Sequence, residues 1–309
     1  MELWGRSAIL KFGRYGTSYE VTIDTDKEFE GRKVIPQIEF DIKKSTADKN
    51  LATISIKNLA ERSRNVATMT VADKGKMYIE FYAGYGGVNY LMFAGDVDSS
   101  STHWNGREWS TDFSAIDGLV ASKVKYNKSH APKTDIKSII ADALSNIKDK
   151  VKDIIVDVKS EVTQNGVTLT GATSLVMEKL AAMLPNQNLQ FTIQDGVAYV
   201  KPVTTPIDKN NIPKISKHSG LIGSPKKIKE GIVFTSLIQF GLSPGRAIEL
   251  ESVSDEFNGV YIIQKTSAKG STRGRDWYIE CEAKLTTDFV VVNTDGSSTR
   301  GSTTPRVTF

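Results

Sequence analysis

Apolar and polar residues alternate along most of the first 120 residues of the chain. In residues 36–44 and 51–58 nearly every second position is apolar, which is typical of a strand with one buried and one solvated face. Residues 76–85, 89–101 and 108–118 have the same texture, with glycine-rich breaks between them. Six or seven short strands at this spacing predict a closed or nearly closed β-barrel.

The pattern changes after Pro132. Apolar residues then occur with the spacing of an amphipathic helix, at positions 136, 139, 140, 143, 144 and 147. Thr134 or Asp135 can cap this helix, and a second one is predicted over 174–184. Asp195-Gly196 lies between two alternating segments and predicts a hairpin turn.

Alternation returns after a loose, basic segment over 206–218, and the last ~20 residues are rich in Ser, Thr and Gly. Residues 58–68 predict a short helix with Asn58 as its cap. The predicted fold is mainly β with an α+β insert. Its parts are a first small, tube-like β-barrel domain (1–124), a small α+β module (125–205), a second, similar β-barrel domain (206–290) and a flexible tail (291–309).

A short phrase occurs twice in the two β-rich regions, as NGREW at 105–109 and as RGRDW at 273–277. Four landmarks recur in the same order: Gly75 with Gly245, Gly95 with Gly259, Gly106-Arg107 with Gly274-Arg275, and Trp109 with Trp277. Glycine turns and aromatic strand starts are common in all antiparallel hairpins. Four of them in one order favour the duplication of one barrel. Three copies of such a chain would present six similar barrels, which suits a symmetry adaptor.

Composition narrows the function classes. The chain has 309 residues and a net charge of +4, too weak a charge to indicate a specific nucleic-acid partner. Its one cysteine, Cys281, excludes an internal disulfide and alternates with Trp277 and Ile279, so we predict that it is buried. No apolar segment approaches the roughly 18 residues of a membrane helix, and the N-terminus has no signal-peptide pattern. We therefore expect a soluble protein without a membrane span.

The sequence offers little catalytic chemistry. His103, His130 and His218 are far apart in polar contexts, and neither a cofactor nor a metal is predicted. The candidates for paired carboxylates that cleave a glycosidic bond are Asp96, Asp98, Asp112 and Asp117. Such a pair must lie about 5–10 Å apart with one raised pKa, and solvation at strand edges is the favoured interpretation of these aspartates. We predict that the chain is not an enzyme.

Two long segments resemble one known family. SGLIGSPKKIKEGIVF…GRAIELES and FNGVYIIQKTSAK…DWYIECEAKL are similar to the C-terminal half of tailed-phage baseplate (tail) hub proteins. FDIKKS…NLATISIKN…GKMYIEFYAGY…REWSTDFSAIDG resembles the opening barrel of the same family, so the resemblance covers about residues 1–290.

The resemblance implies a structural virion protein at the tail tip, assembled in the cytoplasm of the bacterial host. It implies a homotrimer whose paired barrels form a pseudo-hexameric ring between a six-fold tail tube and a three-fold central spike. The implied partners are further copies of the chain, the tube or a tube-adaptor protein, the spike, and the tape-measure protein as a further candidate.

Turns and strand ends near the barrel rims are the predicted inter-subunit contacts. They comprise Gly75, Tyr82, Gly84, Pro244, Gly245 and Arg246. Trp109 and Trp277, at strand starts, are predicted core residues. Two other function classes stay open: a carbohydrate- or cell-wall-binding β-module with Trp104 and Tyr85 as stacking residues, and a peptidoglycan hydrolase of the tail tip that uses the aspartates above.

Overall fold

The computed structural model describes residues 5–14, 19–29, 32–33, 36–68, 77–286, 290–292 and 298–300. Strands before residue 120 are β1 (Arg6–Arg14), β2 (Val21–Asp24), β3 (Glu28–Phe29), β4 (Arg32–Lys33), β5 (Ile38–Ser45), β6 (Leu51–Lys57), β7 (Met77–Tyr85), β8 (Val88–Trp104) and β9 (Trp109–Ile116). The next are β10 (Lys125–His130), β11 (Asp153–Val156), β12 (Val167–Ala172), β13 (Leu189–Gln194) and β14 (Val197–Pro202). The last are β15 (Lys214–Ile215), β16 (Leu221–Ile228), β17 (Gly231–Leu237), β18 (Ala247–Leu250), β19 (Gly259–Ser271), β20 (Trp277–Leu285), β21 (Val290–Val292) and β22 (Ser298–Arg300).

Helices are few. They are α1 (Glu61–Ala67), α2 (Leu119–Lys123), α3 (Ile136–Ser145) and α4 (Thr173–Ala182), with 3₁₀ turns at Pro185–Gln187 and Asp255–Phe257. The predicted fold class, mainly β with an α+β insert, is confirmed. No helix within the described ranges is long and apolar enough to cross a membrane.

One 13-stranded sheet runs through both β-rich parts of the chain. Its order is β16-β17-β20-β19-β5-β6-β9-β8-β7-β1-β2. Off this path, β18 pairs with β19, and β15 pairs with β18. The antiparallel pairing of β19 with β5 joins the two halves. The halves are therefore continuous through backbone hydrogen bonds.

Alternation in the sequence decides which face of each strand is buried. In β5 the side chains of Ile38, Phe40 and Ile42 are buried, and Glu39 between them is exposed. The Phe40 ring lies 4.8 Å from that of Phe81 in β7, although three strands separate β5 from β7 in the sheet. The sheet is therefore curled around its apolar face, as in a barrel. A single apolar cluster contains residues of both halves.

Residues between the two halves form a compact module with a separate core. Strands β11, β14 and β13 form a three-stranded sheet, β10 pairs with β12, and α3 and α4 cover them. The Asp135 side chain accepts a hydrogen bond from the Lys137 N–H and caps α3, as predicted. Asp195 and Gly196 have φ of 54° and 82°, which confirms the predicted tight hairpin between β13 and β14. The exact domain boundaries stay a prediction.

Two local predictions need comment. Asn58 does not cap α1, whose cap position is Ala60. Asn58 instead adopts a left-handed φ of 55°, and its Oδ1 accepts a hydrogen bond from the Trp109 N–H at 3.1 Å, so it links the end of β6 to β9. In the predicted flexible tail, β21 pairs with β22, and the other residues from 293 onward lie outside the described residues.

Candidate assembly surface

The same five-stranded unit occurs twice. We call β5–β9 the N-terminal repeat and β16–β20 the C-terminal repeat. Their orders in the sheet are β5-β6-β9-β8-β7 and β16-β17-β20-β19-β18, and every neighbouring pair within each repeat is antiparallel. Equal order and equal direction across five strands support the duplication that the repeated phrase predicts.

A β-bulge at the same place aligns the repeats residue by residue. In the N-terminal repeat the pairing moves from Val97–Ala115 to Ser99–Ser114. In the C-terminal repeat it moves from Ile263–Ala283 to Lys265–Glu282. Ala115 and Ala283 are both the sixth residue after the tryptophan that starts the strand. Bulges are conserved design features of sheets, so a shared one is a more specific sign of common origin than a glycine turn.

This alignment corrects one predicted landmark. Because Val97 is equivalent to Ile263, Gly95 is equivalent to Tyr261, and its predicted match to Gly259 is wrong. Gly95 is required by local packing, since a Cβ there would lie 2.9 Å from the Phe93 ring and from the Asp117 backbone. The tryptophan match between Trp109 and Trp277 holds.

The junction between β19 and β5 is closely packed on its inner face. Gly270 pairs with Phe40, and a Cβ at Gly270 would lie 2.5 Å from the Phe40 ring. Trp277 meets the same ring edge-on at 5.3 Å, and its Nε1–H donates a hydrogen bond to the Gly84 carbonyl at 3.1 Å. A glycine is therefore needed in β19 so that Phe40 can fill the space beside the tryptophan.

Polar contacts hold the same junction at its rim. The Arg6 guanidinium donates to the carbonyl oxygens of Ser271 at 2.9 Å and Arg275 at 2.7 Å. The Thr272 hydroxyl donates to the Pro36 carbonyl at 2.8 Å, and on the outer face Lys269 pairs with Asp41 at 3.2 Å. The junction is thus a complete strand-to-strand interface formed within one chain.

Trp109 lies in a different environment from its equivalent. It is 36% exposed, whereas Trp277 is 4% exposed, so the prediction of a core position is confirmed for Trp277 and wrong for Trp109. The Arg64 guanidinium lies 4.3 Å from the Trp109 ring, and Trp104, itself 52% exposed, lies 5.7 Å away. The reason for the difference is that β5 covers Trp277, while no described strand covers Trp109.

The predicted contacts in β7 are partly internal. Gly84 is buried between β1 and β8, and a Cβ there would lie 1.8 Å from the Val88 carbonyl oxygen. Tyr82 is half-buried, its hydroxyl donates to Glu80 at 2.7 Å, and burial together with this carboxylate raises the pKa of Tyr82. Gly75 lies outside the described residues.

The predicted contacts before β18 lie at a separate place in the fold. Pro244 and Gly245 are buried, and the Gly245 carbonyl accepts a hydrogen bond from the Ile207 N–H at 2.8 Å. Arg246 is half-buried, 3.5 Å from Asp208 and 5.2 Å from the centre of the Phe240 ring. The contacts of both groups are within their own chain, and their role between subunits stays a prediction.

The candidate catalytic aspartates have structural surroundings. Asp96 is buried and accepts a hydrogen bond from the Val120 N–H at 3.0 Å. Asp117 is buried beneath the middle module, where its carboxylate accepts from the backbone N–H groups of Asp195 and Gly196. Burial, and then the charge of Asp195, raises the pKa of Asp117 to about 7. Asp112 is half-buried beside His103 at 3.4 Å. Asp96 and Asp117 thus use their oxygens to hold backbone rather than to face a substrate.

The two predicted sugar-stacking residues, Trp104 and Tyr85, do not form a shared exposed surface. Tyr85 is buried and its hydroxyl donates to the Trp277 carbonyl at 3.1 Å, so it cannot stack on a ligand together with Trp104. No group of three or more metal-ligating side chains was found among the residues that the structure describes.

Solved structures of tail proteins share the fold. A tail protein from Neisseria meningitidis MC58 superposes with a TM-score of 0.55 at 9% identity, covering 91% of this chain and 97% of its own. The 43 kDa tail protein of prophage MuSo2 from Shewanella oneidensis gives 0.54 at 9% identity, covering 90% and 98%. The E. coli c3393 protein is described as a component of the type VI secretion system with structural similarity to the T4 bacteriophage tail proteins gp27 and gp5. It gives 0.54 at 10% identity, covering 89% and 79%.

Sequence comparison gives the family directly. A search of curated protein sequences found no match. The family model described as baseplate hub gp41 matches residues 19–283, which include the N-terminal repeat, the middle module and all but the last two residues of the C-terminal repeat. The chain therefore belongs to the baseplate hub gp41 family and is a structural component of a phage-type tail.

Proposed function

We propose that three copies of the chain form a ring-shaped hub that joins a six-fold tail tube on one face to a three-fold central spike on the other. The observation that carries this proposal is the duplication of the five-stranded unit, with equal strand order and an equal bulge in both repeats. Three such chains present six nearly equivalent units while they keep true three-fold symmetry.

The proposed activity is assembly through complementary surfaces. The partners are two further copies of the chain, a tube or tube-adaptor protein, the spike and, as a further candidate, the tape-measure protein. The family match and the shared fold of tail proteins support this role. The structural use of Asp96 and Asp117 supports it over hydrolysis.

Mass and symmetry test the proposal together. In native mass spectrometry or light scattering, the purified full chain is expected to give a species of three times 34.0 kDa. Electron-microscopy class averages of that species are expected to show three-fold density with six peripheral lobes. A stable dimer or tetramer, or a ring with a number of lobes other than six, would overturn the proposal.

A further inference from the structure

One junction between repeats, that of β19 with β5, forms inside the chain. The equivalent strands at the other ends of the repeats, β8 and β16, have strand edges without a partner among the described residues. Among the described strands, β8 pairs with β7 only up to Asp96, and beyond it with β9 alone through Trp104. Strand β16 ends the described sheet, where its one partner is β17. In the described ranges no strand pairs with the outer edges of residues 99–104 or of β16. Unpaired strand edges are templates for pairing with another chain.

Inner-face side chains of β8 lack the cover that their equivalents have. At the internal junction Thr266, Ala268 and Trp277 are buried against β5. Their equivalents in the N-terminal repeat, Ser100, Thr102 and Trp109, are half-buried or exposed. The same inner face is therefore buried where β5 is present. Where no described strand follows, it is covered only in part, by Ala67 and Arg64 of α1.

Transfer of the internal pairing gives a register for the open edges. The internal junction places Gly270 opposite Phe40. By the shared bulge, Gly270 is equivalent to Trp104. Phe40 pairs with Ile54, and Ile54 is equivalent to Phe234. In β16, Lys226 pairs with Val233, so the residue before it, Pro225, lies opposite Phe234 and is equivalent to Phe40. The register therefore places Trp104 opposite Pro225 and Thr102 opposite Lys227.

The larger of the two facing side chains is on β5 at the internal junction and on β8 at the proposed one. Inside the chain a glycine accepts a large aromatic ring, Gly270 with Phe40. At the open edges a large ring, Trp104, would face the smaller Pro225. An exchange of large and small partners conserves volume at the contact, which packed interfaces tolerate best. The pairing would cover exposed apolar side chains on both faces, with Trp104 on the inner face and Ile228, at 38% exposure, on the outer face.

Charges at the open edges are also complementary. Strand β16 and the following turn carry the exposed lysines Lys226, Lys227 and Lys229. In the transferred register Lys226 lies opposite His103 of β8, on the same face as Asp112 of β9, which is 3.4 Å from His103. Lysines and a proline on an edge strand discourage non-specific pairing, so an edge of this composition favours a matched partner.

We infer that residues 101–104 of β8 pair antiparallel with residues 225–228 of β16 in a neighbouring copy of this chain, with Trp104 opposite Pro225. This inference rests on the proposed ring and specifies its intermolecular contact. The ring would then alternate internal β19–β5 junctions with intermolecular β8–β16 junctions.

Cysteine cross-linking tests the register. Thr102→Cys and Lys227→Cys are introduced together in a Cys281→Ala background, because directly opposed residues of antiparallel strands lie within disulfide reach. Under oxidation a covalent trimer is expected on a non-reducing gel. In the matched control, Thr102→Cys with Ile228→Cys, a shift of one residue moves the second thiol to the opposite face, and little cross-linking is expected.

The outcomes separate the register from the ring. A trimer by mass that cross-links only in the matched pair supports the inference. A trimer that cross-links equally in both pairs, or in neither, overturns the inference and leaves the hub ring in place. No trimer for the wild-type chain overturns both.

A second variant covers the case in which the cysteine pair fails to fold. Trp104→Asp is expected to leave the unfolding midpoint of the monomer nearly unchanged, because the ring is 52% exposed there. It is expected to raise the concentration for half-assembly by about tenfold or more, the change that follows from about 1.4 kcal/mol of lost contact. Unchanged assembly with an intact fold would contradict the pairing.

Discussion

Trp109 and Trp277 show how one residue type at equivalent positions acquires two environments. Alternation with Ile279 and Cys281 correctly assigns Trp277 to the inner face. The same reasoning assigns Trp109 to the inner face, which is also correct, but it cannot tell whether a further strand covers that face. Burial of Trp277 depends on Phe40 of β5, more than 200 residues away in sequence. In our proposal, burial of Trp109 depends on another copy of the chain.

The first residue-scale prediction compares these tryptophans. Trp277→Ala is expected to lower the free energy of unfolding by about 3–5 kcal/mol, because it empties space beside Phe40 and breaks the bond to Gly84. Trp109→Ala, the matched control, is expected to cost less than half as much in the monomer. Urea unfolding under conditions that keep the chain monomeric measures both. Equal losses would contradict the assigned environments.

The second residue-scale prediction concerns Asp117. An aspartate has an ordinary pKa of 3.8, and burial followed by the Asp195 charge raises the pKa of Asp117 to about 7. Between these pH values the folded chain holds one more proton than the unfolded chain, so this group's contribution to stability falls as pH rises from about 4 to about 7. The unfolding midpoint in urea is therefore expected to decline less steeply over this range in Asp117→Asn than in the wild type.

Asp112→Asn serves as the control for this experiment. Asp112 is half-buried beside His103 and accepts bonds only from side chains among the contacts described for it. Its substitution leaves the Asp117 carboxylate and its backbone contacts in place, so the decline of the unfolding midpoint that is due to Asp117 is expected to remain. The same slope in all three proteins would contradict the assigned role of Asp117.

Elements and their faces were largely predictable from the sequence. Strict alternation located β5, β6 and β9, and helical spacing located α3 with its cap at Asp135. Glycine positions were a poor guide to the alignment of the repeats, because Gly95 is fixed by its own packing against Phe93. The bulge that does align them depends on hydrogen-bond pairing between strands, which no periodicity in one strand encodes.

An element-scale prediction follows from the two separate apolar cores. Leu180 of α4 is buried in the core of the middle module, and Ile54 of β6 is buried in the core shared by both repeats. Leu180→Ala is expected to accelerate amide hydrogen exchange within residues 119–202 and to leave the sheet protected. Ile54→Ala is expected to accelerate exchange in both repeats, since they share one core. Faster exchange of β17 and β20 in Leu180→Ala would show that the two cores unfold as one unit.

At the scale of the whole molecule, the sequence correctly indicated the family, and the equal strand orders support the duplication that it predicted. The sequence represented the repeats as separate barrels. The structure joins them through β19 and β5 into one sheet. Arg6 and Gly270, which complete this junction, were not recognised from the sequence, because each acts on a partner more than 200 residues away. The RGRDW segment, which resembles NGREW, lies at this junction, but its sequence does not indicate which strand it packs against.

The internal β19–β5 junction also bears on how a ring could be put together. Six separate units would have to form six contacts between molecules to close a circle. Three chains that each carry two joined units need only three such contacts, because the internal junctions form at the high effective concentration of a tether. A junction made during folding is also independent of protein concentration, so alternate seams of the circle would persist at dilutions where the seams between chains come apart.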